Sequence, residues 1–277
     1  MTTIKRDCTC RKCGKAYQAP VEGRHRLLCG DSTRESDMAR LMDGAVAGMV
    51  FTDPPYNVDY ANSAKDKLRG KDRPILNDNL GGDFHAFLLA ALGQMLRHCG
   101  GAVYVAMSSS ELDTLQSAFR EAGGHWSTFI IWFKSSFTMG RSDYQRQYEA
   151  ILYGWPEGAK RHWCGDRDQG DVWQIKKPHR NDLHPTMKPV ELVSRAILNS
   201  SLPGASVLDP FAGSGTTVIA AEQAGRRAFL MELDPRYAEV IVKRWRDFTG
   251  GKAERIPGPE AETAAPAEAG TAVEAKA

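Results

Sequence analysis

A chain of 277 residues, 42% hydrophobic and 25% charged, can bury one large core or two modest ones. Its net charge of +2 does not by itself select a nucleic-acid partner; residues 250–277 carry three basic and five acidic side chains, which leaves a mild basic excess of +4 elsewhere. No run is long and apolar enough to span a bilayer, no secretory h-region opens the chain, and six cysteines clustered and then scattered make no disulfide framework. A cytoplasmic protein with no membrane partner is the expectation.

Residues 1–23 stand apart in character. Cys8-x-Cys10-x-x-Cys13, followed by Gly14-Lys15, resembles half of a zinc knuckle, with His25 and Cys29 as the nearest further ligands. The alternative is a disordered arm with reduced thiols. From residue 24, strands and helices alternate. A short strand over 26–29 ends at Gly30-Asp31, a helix over 32–42 is capped by Ser32 or Thr33, and a second strand covers 46–52. Residues 57–80 form a long polar loop with Lys65, Lys67, Arg69, Lys71 and Arg73, a length that is usually functional. Phe84, Leu88, Ala91, Leu92 and Met95 recur at helical spacing, Cys99-Gly100-Gly101 ends that helix, and 102–107 is a buried strand. A helix over 111–122 closes at Gly123-Gly124, and 128–133 and 148–153 are strands rich in β-branched and aromatic residues.

Residues 154–183 break the rhythm, interleaving Trp155, Trp163 and Trp173 with lysines and arginines. Then follow a helix over 190–198, a strand over 205–208, a helix over 216–224, a strand over 227–233 and a helix over 235–248 that starts with proline. Residues 250–277, dominated by Ala, Glu, Pro and Gly, are expected to be disordered. Strands regularly separated by helices mean an α/β fold with a doubly wound, mostly parallel sheet of about seven strands. Its ligands would sit at the carboxyl ends of the strands.

Two loops hold the chemistry. Asp53-Pro54-Pro55-Tyr56 stops a buried strand on two prolines that cannot donate to a ladder, which holds a carboxylate and a ring on a stiff turn. Asp209-Pro210-Phe211-Ala212-Gly213-Ser214-Gly215-Thr216-Thr217 leaves a second strand and enters a helix, with glycines where a backbone can approach a ligand. It is neither a P-loop nor a full dinucleotide fingerprint. The next strand ends Met231-Glu232-Leu233-Asp234, where a βαβ unit places a ribose acceptor; Glu232 is the better candidate, and Asp234 could simply cap the following helix.

These two loops, with His184-Pro185-Thr186-Met187-Lys188-Pro189 and the Met231–Asp234 stretch, resemble the amino-group DNA methyltransferases, and the motif order resembles their circularly permuted β group. The resemblance covers residues 24–248 and implies the S-adenosylmethionine-dependent methyltransferase sheet in permuted order. It implies a methyltransferase domain over 24–249 with a small target-recognition insert at about 154–183. It gives Asp53, Pro54, Pro55 and Tyr56 to catalysis. Asp31, Thr186, Lys188, Asp209, Phe211, Gly213, Gly215, Thr216 and Glu232 go to the cofactor, with Thr186 and Lys188 reaching its methionine carboxylate and Asp31 walling the adenine end. Met187 departs from the family's usual glutamine. Asp at position 53 resembles adenine-N6 more than cytosine-N4 enzymes. The expected partner is double-stranded DNA with a flipped base, stacked on Tyr56 and on a second aromatic, for which Phe137 is the candidate. No metal is required. A cytosine-N4 enzyme and a non-catalytic DNA-binding protein are the alternatives. A homodimer is compatible with the chain, in which no nuclease motif is evident.

Overall fold

Strands that are apolar on both faces call for helices on both sides of a sheet. The computed structural model of the protein, which describes residues 7–9, 16–18, 25–58, 76–139, 143–176 and 187–254, has that architecture. Its strands are β1 (Asp7–Thr9), β2 (Ala16–Gln18), β3 (Arg26–Cys29), β4 (Ala47–Thr52), β5 (Cys99–Met107), β6 (Gly124–Thr138), β7 (Arg146–Pro156), β8 (Val172–Gln174), β9 (Ser206–Asp209) and β10 (Arg227–Glu232). Its helices are α1 (Glu35–Met42), α2 (Phe84–Arg97), α3 (Leu112–Glu121), α4 (Val190–Ser200), α5 (Thr216–Ala224) and α6 (Pro235–Thr249).

β1 and β2 form a separate antiparallel pair. The other eight strands make one sheet in the order β3-β10-β9-β4-β5-β7-β6-β8, in which β7 alone runs against the rest. Among the described residues the expected seven strands are therefore eight. The addition is β8, three residues anchored by the buried Trp173. Alternation along β4 and β5 feeds two cores. Met49, Phe51 and Tyr104 pack with Leu192 and Ile197 of α4 and Val218 of α5; Val50, Val103 and Val105 pack with Met38 of α1, Leu88 of α2 and Phe119 of α3.

The topology fixes where a ligand can go. β4 and β9 are neighbours, paired at Met49↔Val207 and Val50↔Leu208. From β4 the sheet continues to β5 on one side, and from β9 to β10 on the other. The crevice opens where the winding reverses, between the carboxyl ends of β4 and β9. Those ends lead straight into the Asp53 turn and the Asp209 loop.

Several boundaries differ from the sequence reading for local reasons. α1 starts at Glu35, not at Ser32, and no side chain caps its first turn among the described residues. Asp31 uses the region differently: its Oδ1 accepts from the Thr33 amide at 2.9 Å and the Thr33 hydroxyl at 2.7 Å, an Asx turn that delays the helix. Cys99-Gly100-Gly101 opens β5 and does not merely end α2, because Gly101 lets β5 lie against the Gly48 carbonyl of β4, where any Cβ would collide. β6 and β7 run past their apolar centres into a long hairpin.

Candidate active site

The Asp53–Tyr56 turn and the glycine loop are tied together by one buried carboxylate. Asp209 Oδ1 accepts from the Thr52 hydroxyl at 2.8 Å and from the Phe211 amide at 3.2 Å, and Oδ2 accepts from the Thr217 hydroxyl at 2.5 Å. Thr52 immediately precedes Asp53, so the end of β4, the end of β9 and the start of α5 meet on a single side chain. Burial pushes the Asp209 carboxyl up to about 6 despite these donors. The sequence reading gave Asp209 to the cofactor. The structure shows its oxygens engaged within the protein, at the floor of the same cleft.

That cleft has a volume of about 390 Å³, within the roughly 300–1,000 Å³ usual for small-molecule sites. Asp53, Pro54, Pro55 and Tyr56 line one part of it; Asp31, Asp209, Phe211, Gly213, Thr216 and Glu232 line the other. At the first end, Tyr56 donates its hydroxyl to Asp53 Oδ1 at 2.5 Å, and Lys188 Nζ donates to Asp53 Oδ2 at 2.6 Å and to the Tyr56 hydroxyl at 3.0 Å. The Tyr56 amide is held by Asp78 Oδ1 at 3.0 Å, which fixes the turn from behind. Burial raises the Asp53 carboxyl and the Lys188 ammonium works against it. Burial opposes the charge on Lys188, but Asp53 and Glu149 outweigh it and raise its pKa. Burial, with both carboxylates alongside, keeps the Tyr56 phenol protonated.

Two residues of this constellation carry no motif. Glu149, near the start of β7, places Oε2 3.1 Å from Lys188 Nζ and 3.2 Å from the Tyr56 hydroxyl, and accepts from Lys134 Nζ of β6 at 2.5 Å through Oε1. Burial would raise Glu149, yet the two ammoniums overcome it and hold the carboxyl down at about 2. The signal that could have found the pair is strand register: Trp132 pairs with Glu149, and Lys134 lies two residues on, on the same face.

At the other end, Glu232 terminates β10 half-buried, with Oε2 accepting the Gly213 amide at 2.8 Å and Oε1 the Asp234 amide at 3.0 Å. Asp234 caps α6 by accepting the Arg236 amide at 2.9 Å, the plainer of its two readings. Gly213 and Gly215 both adopt positive φ, 53° and 75°; a Cβ on Gly215 would sit 2.9 Å from Ile241 of α6. Phe211 stacks obliquely on Phe87 at 5.9 Å, and the Thr216 hydroxyl donates to the Lys188 carbonyl at 3.2 Å. Thr186 lies outside the described residues.

Other expectations fare differently. Phe137 is 54% exposed and outside the cleft, whereas Tyr148, next to Glu149, lines it. Two of the three tryptophans of residues 154–183 have internal work: Trp173 is buried in the core, and Trp155 lies under the Arg161 guanidinium at 4.2 Å and beside His125 at 4.7 Å. His25 is bound into the sheet, with Nε2 2.7 Å from Glu222 and Nδ1 accepting the Ala228 amide at 2.9 Å. Cys29 donates to the Leu233 carbonyl at 3.7 Å. Among the described residues no three His, Cys, Asp or Glu side chains cluster as metal ligands. Cys10 and Cys13 lie outside the described residues. Nor is any described helix long and apolar enough to cross a membrane.

Comparison with known proteins agrees with this geometry. The N6/N4 DNA methylase family model matches residues 47–243. The type II methyltransferase M2.MboI of Moraxella bovis is 26% identical over 234 residues, covering 76% of this chain and 85% of that protein. The DNA adenine methyltransferase YhdJ of Escherichia coli (strain K12) is 25% identical, covering 71% and 75%. Among solved structures, the M1.HpyAVI–SAM complex superposes with a TM-score of 0.60 at 20% identity over 79% of this chain and 99% of that one, a likeness of fold. With the matched region spanning most of the sheet and both loops of the cleft, the chain belongs to the N6/N4 DNA methylase family.

Proposed function

We propose that the protein transfers the methyl group of S-adenosylmethionine to the exocyclic N6 of adenine in double-stranded DNA, with the target base flipped out of the helix. The observation that carries this reading is one cleft holding both the Asp53–Tyr56 turn and the Gly213–Gly215 loop. The donor set suits the cofactor. Glu232 at the end of β10 is a carboxylate for ribose hydroxyls, and Gly213 and Gly215 offer backbone without a Cβ. Asp31 walls the adenine end, Phe211 and Thr216 complete the loop, and Thr186 is the residue proposed for the methionine carboxylate, the Lys188 ammonium being turned toward Asp53. When bound, S-adenosylmethionine supplies an electrophilic methyl on its sulfonium.

An exocyclic amino nitrogen is a weak nucleophile because its lone pair is delocalised into the ring. Asp53 and the Pro54 carbonyl accept its N–H groups and let the nitrogen pyramidalise, and Asp53 takes the proton that the methylated amino group must shed. Pro54 and Pro55 keep the backbone carrying these acceptors fixed, so they are already aimed at the positive charge that develops. Tyr56 offers its ring to the flipped base, worth roughly 1–3 kcal/mol against an unstacking cost of a few kcal/mol. Tyr148, which also lines the cleft, is the aromatic assigned to the other face of the base. Sequence reading falls to the basic side chains of residues 154–183 and 57–80, and an insert this small favours a short recognition site.

The test is methyl transfer from labelled cofactor to DNA, followed by digestion to nucleosides. N6-methyladenine is the expected product; N4-methylcytosine would move the protein to the other branch of its family. Asp53→Ala should abolish transfer and leave cofactor binding largely intact, and unchanged turnover would remove Asp53 from the mechanism.

A further inference from the structure

Asp53 offers two carboxylate oxygens, and both are engaged from inside the protein, Oδ2 by Lys188 and Oδ1 by Tyr56. A target amino group that donates to Asp53 competes with those donors directly. Each of them has a second acceptor already within reach. Glu149 Oε2 stands 3.1 Å from Lys188 Nζ and 3.2 Å from the Tyr56 hydroxyl, so either hydrogen bond can shift by rotation of a side chain alone. The support behind Glu149 is rigid. Lys134 holds Oε1 at 2.5 Å and lies over the Trp132 ring at 5.0 Å, and the Trp132 indole donates to the Ile175 carbonyl at 2.8 Å.

We propose that Glu149 is a positioning residue of the amino-group site: held by Lys134, it receives the Lys188 ammonium and the Tyr56 hydroxyl when the target amino group claims Asp53. The inference deepens, and rests on, the reading of the cleft as an amino methyltransferase site. Lys134 and Lys188 balance Asp53 and Glu149, two charges of each sign, so Lys188 frees Asp53 without any ammonium leaving the cleft. A lone Asp53–Lys188 pair would have no such alternative, and the substrate would have to break it outright.

The experiment compares wild type, Glu149→Gln and Lys134→Met/Glu149→Gln for kcat on DNA at saturating cofactor, for cofactor Kd, and for the pH dependence of kcat. The double variant removes one charge of each sign and guards against misfolding of the single one. Both variants should lose roughly 10- to 100-fold in kcat, the scale of a misplaced reacting group, with cofactor Kd changed less than about twofold. Because the Glu149 charge raises the Asp53 carboxyl, the acid limb of the kcat profile should also move to lower pH in Glu149→Gln. Unchanged kcat overturns the assignment, as does a loss matched by weakened cofactor binding or an acid limb that stays put. A wild-type protein that methylates no DNA would sink the underlying reading and the proposal with it; an active wild type with the wrong variant pattern sinks the proposal alone.

Discussion

At the scale of single residues, Asp209 shows how a side chain can build a site by being costly. Its carboxyl sits at about 6 against an ordinary 3.8, with burial as the largest cause. Between those values the folded protein holds more protons than the unfolded chain, so stability falls as pH rises through the window. Above it the whole cost is present, up to about 3 kcal/mol for two pKa units. Asp209→Asn keeps an acceptor for Thr52 and the Phe211 amide while removing the charge. Denaturant unfolding between pH 4 and pH 7 should show wild type losing stability relative to the variant; parallel curves would refute the buried-charge account. The residues that announce themselves in the sequence are those whose backbone setting is unusual, such as Asp53 before two prolines and Gly213 in a glycine loop. Glu149 and Lys134 are common types on ordinary strands, and only the pairing of β6 with β7 gives them a role.

At the scale of elements, the glycine loop is set by the helix that packs on it. Gly215 is the residue before α5, in left-handed conformation at φ 75°, and Ile241 of α6 fills the space beside it. Gly215→Ala meets both the left-handed penalty, roughly 1–2 kcal/mol, and a tight contact with Ile241. A stability loss of about 1–3 kcal/mol and weaker cofactor binding are expected from thermal melting and calorimetric titration; a variant as stable and as tight as wild type would show that the loop tolerates a Cβ. Elements with strong local signals were legible: α5 runs over the residues that periodicity predicts, and α2, α6 and the apolar centres of β4, β5 and β9 lie within a few residues of expectation. β8 was not, because three residues generate no period, and the ends of β6 and β7 were not, because Lys134–Ser136 and Arg146–Gln147 are polar and carry no apolar alternation.

At the scale of the whole molecule, the permuted order means that the cofactor half is closed by the chain's own beginning. β3 is the edge strand on the side of β10, parallel to it from Arg26↔Phe229 to Cys29↔Glu232, and the Gly30 amide donates to the Glu232 carbonyl at 3.1 Å. The contacts reach well beyond the ladder. Arg26 lies over Phe229 at 5.1 Å and donates to the Leu41 and Met42 carbonyls at the end of α1, while His25 joins β10 to Glu222 of α5. Glu232, the proposed ribose acceptor, is thus steadied by a strand some two hundred positions earlier in sequence, at a separation of 203 between His25 and Ala228. Placing the domain boundary at residue 24 then makes two truncations differ sharply. Removal of residues 1–23 should leave the melting temperature within about 2 °C and methyl transfer intact. Removal of residues 1–34 takes away β3 and the Asp31 turn, and should lower melting by about 10 °C or more, at roughly 2–4 °C per kcal/mol for a domain of this size, with cofactor binding lost first. Equal damage from the two deletions would mean that the first 23 residues belong to the methyltransferase domain, and that the boundary lies elsewhere.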